Sequence, residues 1–123
     1  MPRPCNVVVL LSGTGSNLQA LIDSTADGEN PVRIAAVIAN RSDAHGLQRA
    51  QAAGIATRVL EHGDYQGRDA FDAALMQAID DFAPQLVVLA GFMRILTPAF
   101  VRHYHGRLLN IHPSLLPRHK GLH

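Results

Sequence analysis

The sequence has no tryptophan, a single cysteine, only 5% aromatic residues, and no acidic residue after Asp81. Each gap excludes something. A lone thiol, Cys5, forms neither an internal disulfide nor a cysteine zinc cluster, so a disulfide-stapled scaffold and a paired-cysteine redox motif are excluded and a reducing compartment is expected. The apolar run at residues 7–11 is too short for a signal-peptide core or a membrane span and ends in a glycine-rich turn. The expectation is a soluble, cytoplasmic chain with no membrane partner.

What is present is an ordinary globular mixture. The 123 residues are 47% hydrophobic and 17% charged, which suits one domain over residues 1–123 rather than a disordered or repetitive chain. A chain of this size buries roughly two-thirds of the surface that its unfolded form exposes, so a core without cross-links is feasible. Net charge is only +1, but it is unevenly spread. Residues 1–81 carry six basic and all ten acidic residues, whereas residues 82–123 carry Arg94, Arg102, Arg107, Arg118 and Lys120, five of the seven histidines and no carboxylate. That half attracts anions. Its charges form no run and few aromatics accompany them, which argues against nucleic acid and for a small phosphorylated or carboxylated ligand.

Hydrophobic periodicity alternates between short β-branched runs and longer helical stripes, the pattern of strands and helices built around a parallel sheet. Strands are expected over 6–11, 33–39, 57–60, 86–89 and 108–111, and helices near 17–24, 44–53, 67–82 and 98–105. In the third helix Phe71, Leu75, Ile79 and Phe82 recur at three- and four-residue steps and make one apolar face. Thr97 is a good N-cap ahead of Pro98, and Gly54 and Gly106 are placed to stop the second and fourth helices.

Ligands of open parallel sheets bind beyond the carboxyl ends of the strands. Three loops lie there: Ser12-Gly13-Thr14-Gly15-Ser16-Asn17, Gly91-Phe92-Met93-Arg94-Ile95-Leu96, and Ile111-His112-Pro113-Ser114. The first places two glycines and several hydroxyl residues before a helix, where free N–H groups and the positive helix end could hold a phosphate; the same glycines also serve a tight turn without a ligand. A dinucleotide fingerprint needs a third glycine where Leu18 stands and an acidic residue where Asn40 stands, and a P-loop needs a Gly-Lys-Ser/Thr ending, so a mononucleotide phosphate fits best. The second loop either lines a flat pocket for a heteroaromatic ligand or packs under the following helix. In the third, Asn110 and His112 share one face of a strand end, an amide donor beside an imidazole suited to acyl-type transfer; an isolated histidine is otherwise structural or merely exposed. Metal binding is not expected. His103 and His105 point in different directions on a helix, His119 and His123 flank a poor helix residue, and no His-Glu-x-x-His motif is present.

Taken together, the segments VVVLLSGTGSNLQA (7–20), AGFMRILTP (90–98) and LNIHPSLLP (109–117) resemble the phosphoribosylglycinamide formyltransferases, folate-dependent enzymes of purine biosynthesis. Formyltetrahydrofolate deformylases share the Asn-x-His element but lack such a glycine-serine-asparagine loop, and methionyl-tRNA formyltransferases usually have glycine where Pro113 stands. The resemblance implies a Rossmann-like open parallel sheet with helices on both faces, the formyltransferase fold of the α/β class. It implies that Gly15, Ser16 and Asn17 hold the phosphate of glycinamide ribonucleotide. Arg68, Met93, Arg94, Ile95, Leu96 and Asn110 would form the site for 10-formyltetrahydrofolate as co-substrate, and Asn110 and His112 would be the catalytic pair, with no metal. Members of the family continue beyond Lys120-Gly121-Leu122-His123 and supply an aspartate after the histidine. The chain is therefore expected to be the N-terminal portion of such an enzyme, truncated at its C-terminal side and inactive alone; the alternatives are a deformylase or an impaired fragment that binds a phosphorylated ligand.

Overall fold

The computed structural model describes residues 5–25, 31–93 and 96–111. Five strands, β1 (Cys5–Leu11), β2 (Val32–Ala39), β3 (Ala56–Val59), β4 (Leu86–Ala90) and β5 (Leu108–Ile111), alternate with four helices, α1 (Ser16–Thr25), α2 (Gly46–Ala52), α3 (Gly67–Asp80) and α4 (Pro98–His103). All strand pairs are parallel, in the order β3-β2-β1-β4-β5. The chain winds outward from β1 through β2 and β3, then returns to lay β4 and β5 on the other side. The winding direction thus reverses between β1 and β4, where ligands of such sheets bind.

Both faces of the central strand are covered, which explains why residues 8–11 are all fully buried and read as an unbroken apolar run. Val7, Val9 and Leu11 pack with Leu18 of α1 and Leu47 and Ala50 of α2. Val8 and Leu10 pack with Phe71, Leu75 and Ile79 of α3, Phe100 of α4 and the following Tyr104. The β1–β2 register shifts between Val7 and Val8, where Val7 pairs with Ile34 but Val8 pairs with Ala36. Ala35 is the extra residue, and this bulge puts Ile34 and Val37 on one face and Ala36 and Ile38 on the other.

Several expected boundaries move for local reasons. Strand β3 starts one residue early and stops at Val59, although the Leu60 N–H still donates to Ala39 at 2.9 Å. Helix α2 begins at Gly46 rather than 44, because residues 41–45 form turns, with Ala44 N–H donating to Arg41 at 3.2 Å. Helix α3 ends at Asp80, and Ala83, at φ 47°, turns the chain out ahead of Pro84, which disfavours helical backbone before it. Helix α4 ends at His103 rather than 105. Thr97 caps it as expected, its hydroxyl accepting the Phe100 N–H at 3.2 Å with Pro98 in the first turn. No helix among the described residues is long and apolar enough to cross a membrane.

Candidate functional site

Because the strands are parallel, the carboxyl ends of β1, β4 and β5 share one rim. A cleft of about 750 Å³ opens there, lined by residues 12–17, by Asn40 and Arg41 beyond β2, by residues 90–93, and by Asn110 and Ile111.

The first loop is held from behind through its carbonyls. Gly46 N–H donates to Gly13 at 3.1 Å, Arg49 Nε donates to Thr14 at 2.8 Å, and Gln19 N–H donates to Gly15 at 2.9 Å in the first turn of α1. None of the turn and loop backbone bonds among the described residues uses an N–H of residues 13–17 as donor, and the first amides of a helix have no acceptor within it. Amides without a protein acceptor, in a loop whose carbonyls are tied back, are an arrangement able to hold an anion. Gly15 is required by geometry. Its φ is +80°, and a Cβ there would lie 2.6 Å from the Gly46 Cα. Ser16 is exposed at the start of α1, while Asn17 is 8% exposed.

The second loop is fastened at both ends. The Ser12 hydroxyl accepts the Met93 N–H at 2.7 Å, and the Asp72 carboxylate accepts the Thr97 N–H at 2.8 Å. Phe92 and Leu96 pack against the core layer of α3 and α4, but Met93 stands 81% exposed at the cleft. Arg94 and Ile95, expected here, lie outside the described residues. Arg68 is exposed in the first turn of α3 and, like Leu96, does not line the cleft.

Asn110 lies opposite Leu89 in the β4–β5 pairing and reaches the cleft from β5. His112, expected two residues further on, lies outside the described residues. No group of three metal-ligating side chains occurs among the described residues. At the β2 side, Arg41 makes two bonds to Asp43, at 3.0 and 2.9 Å, which hold the exposed Asp43 carboxyl below its ordinary value and raise Arg41.

The structure therefore brings Gly15, Ser16, Asn17, Met93 and Asn110 together. Residue types and spacing alone did not mark Asn40 and Arg41 as members of the site. The pairing of β2 beside β1 puts them there, and the signal was the position after the second strand, where dinucleotide-binding sheets carry a ribose-reading side chain. The bond from Met93 to Ser12 and the Arg49 clamp needed side-chain directions that spacing does not supply.

A family model described as formyl transferase matches residues 5–123. Phosphoribosylglycinamide formyltransferase of Escherichia coli strain K12 is 58% identical over 118 residues, which are 96% of this chain and 56% of the relative. The bovine trifunctional purine biosynthetic protein adenosine-3 is 52% identical over 120 residues, 98% of this chain and 12% of that protein. Among solved structures, the phosphoribosylglycinamide formyltransferase of Coxiella burnetii superposes with a TM-score of 0.87 at 52% identity, covering 98% of this chain and 56% of its own. The chain thus spans about half the length of the single-function relatives it matches.

Proposed function

Because the chain belongs to the formyl transferase family, we propose that its full-length protein transfers a formyl group from 10-formyltetrahydrofolate to the amino group of glycinamide ribonucleotide. The observation that carries this reading is the convergence of three loops on one cleft, an anion cradle at 13–17, an apolar segment at 90–93 and a carboxamide at Asn110. The names of the similar proteins from Escherichia coli and Coxiella burnetii agree with it.

In this reading the N–H groups of Gly15, Ser16 and Asn17 hold the substrate phosphate, which orients the amine toward β5. Met93, Arg94, Ile95 and Leu96 are assigned to the folate, with Met93 at the cleft and Arg68 further out, and the apolar exposure of Met93 suits a heteroaromatic ring. The folate co-substrate supplies an electrophilic formyl carbon. Asn110 donates a hydrogen bond to the formyl oxygen, which strengthens as negative charge builds there. The substrate amine bonds to the formyl carbon and the bond from that carbon to the folate nitrogen breaks; His112 gives a proton to the departing nitrogen, and the proton lost by the amine restores the imidazolium. The substrates are small and soluble, and a cytoplasmic protein acting on them without metal or nucleic acid completes the proposal.

The test is tetrahydrofolate formation by the full-length protein, followed with and without glycinamide ribonucleotide. Formation that depends on the ribonucleotide supports the transferase; equal rates with and without it identify a hydrolase instead.

A further inference from the structure

The loop after β1 turns its amides one way because its carbonyls are held the other way. In a trans peptide unit the carbonyl and the N–H point in opposite directions, and the described backbone has no cis peptide. The bond from Gly46 N–H to the Gly13 carbonyl therefore turns Thr14 N–H away from α2. The bond from Arg49 Nε to the Thr14 carbonyl does the same for Gly15 N–H, and the bond from Gln19 N–H to the Gly15 carbonyl frees Ser16 N–H at the start of α1. The outer two ties are backbone bonds. The middle one depends on a single side chain 35 residues away.

Arg49 is half-buried on α2 and does not line the cleft. Its Nε donates to the Thr14 carbonyl at 2.8 Å, and its Nη1 donates to Gln19 Oε1 at 3.3 Å, so one guanidinium grips both the loop and α1. The fit is close, since a Cβ at Gly15 would lie 3.3 Å from Arg49 Cδ. Among the described residues no carboxylate lies within ion-pair distance of this guanidinium. A positive charge without a carboxylate partner thus stands directly behind the loop. A charged donor on the Thr14 carbonyl also polarises the peptide unit that it shares with Gly15, which strengthens Gly15 N–H as a donor.

We propose that Arg49 is a positioning residue for the phosphorylated substrate: acting through the Thr14–Gly15 peptide unit, it aims Gly15 N–H at the phosphate and adds a positive field behind it, without touching the ligand. The inference deepens the proposed function and rests on its reading of residues 15–17 as the phosphate-holding loop.

The experiment measures two things on the full-length protein, binding of inorganic phosphate by phosphorus NMR and KM for glycinamide ribonucleotide and for 10-formyltetrahydrofolate. Arg49→Met keeps the apolar stem but removes the charge and both donors. It should weaken phosphate binding and raise KM for the ribonucleotide by about tenfold each, with KM for the folate changed by less than about twofold. Arg49→Lys restores a charge and a donor and should return both values to within about threefold of the parent. A role in stability alone lowers the amount of active protein, and so the apparent kcat, without separating the two KM values. A methionine variant that binds phosphate like the parent, a rise of both KM values alike, or an unaltered protein that binds no phosphate overturns the role of Arg49, and use of the ribonucleotide then leaves the formyl-transfer reading standing. Phosphate binding that depends on Arg49 in a protein that does not use the ribonucleotide overturns the substrate reading instead and supports the role of Arg49.

Discussion

Ser12 and Met93, 81 residues apart in the chain, are joined by a hydrogen bond of 2.7 Å from the Met93 N–H to the Ser12 hydroxyl. This bond ties the loop proposed to hold the ribonucleotide to the loop proposed to hold the folate. Ser12→Ala removes the acceptor and leaves the Met93 N–H without one. The expected cost is about 1 kcal/mol of stability and roughly a tenfold loss of kcat/KM, because small displacements of positioning loops are costly in rate. Denaturant unfolding and steady-state kinetics on the same preparation check both numbers, and unchanged kinetics would uncouple the two loops.

Gly15 and Gly13 belong to one loop but differ in what they tolerate. Gly15→Ala combines a φ of +80° with a backbone atom 2.6 Å from the new Cβ, whereas a Cβ at Gly13 meets nothing within 4 Å. Gly15→Ala should lose about 2 kcal/mol or more and weaken binding of the phosphorylated substrate, while Gly13→Ala should stay within about 0.5 kcal/mol of the parent. Melting curves and the KM for the ribonucleotide distinguish the pair.

Asp72 is 1% exposed, and one of its oxygens accepts the Thr97 N–H at 2.8 Å where the chain turns into α4. Asp72→Ala strands that N–H in the interior, with an expected loss of about 1–3 kcal/mol. Asp72→Asn keeps an acceptor of the same shape and should lose less. Thr97→Ala removes only the helix cap and should cost about 1 kcal/mol. Urea midpoints of the three variants should follow that order, with the alanine at 72 lowest.

Tyr104 is fully buried as a side chain, and its hydroxyl donates to Asp80 at 2.8 Å. Burial first, and then the Asp80 carboxylate, raise its pKa above the ordinary 10.0. Below pH 10 both folded and unfolded chains keep the proton, so the contribution to stability is complete. As pH rises beyond that, the unfolded chain loses its proton while the folded chain retains it, and stability falls toward the folded pKa. Denaturation midpoints between about pH 8 and 11 should show that fall, and Tyr104→Phe should flatten it.

Most of the fold is legible in the sequence because its strands are short β-branched runs and α3 shows a clean apolar stripe. Where boundaries moved, tertiary or turn geometry decided: the turns at 41–45 delay α2, and Ala83 before Pro84 shortens α3. In the site, loops 12–17 and 91–93 and Asn110 are legible because parallel strands send their carboxyl ends to one rim. Asn40 is not, because its place depends on which strand lies beside β1. The Ser12–Met93 bond and the Arg49 clamp on Thr14 are hidden for a related reason, since both join residues far apart in sequence through side-chain direction.

The most direct test follows the formyl carbon itself. The full-length protein would be given 10-formyltetrahydrofolate labelled with ¹³C at the formyl group, together with glycinamide ribonucleotide, and the products read by NMR. Label appearing in a new amide of the ribonucleotide is the expected result, and its rate should fall in Asn110→Ala through kcat more than through KM. Label released as formate, with the ribonucleotide unchanged, would contradict formyl transfer.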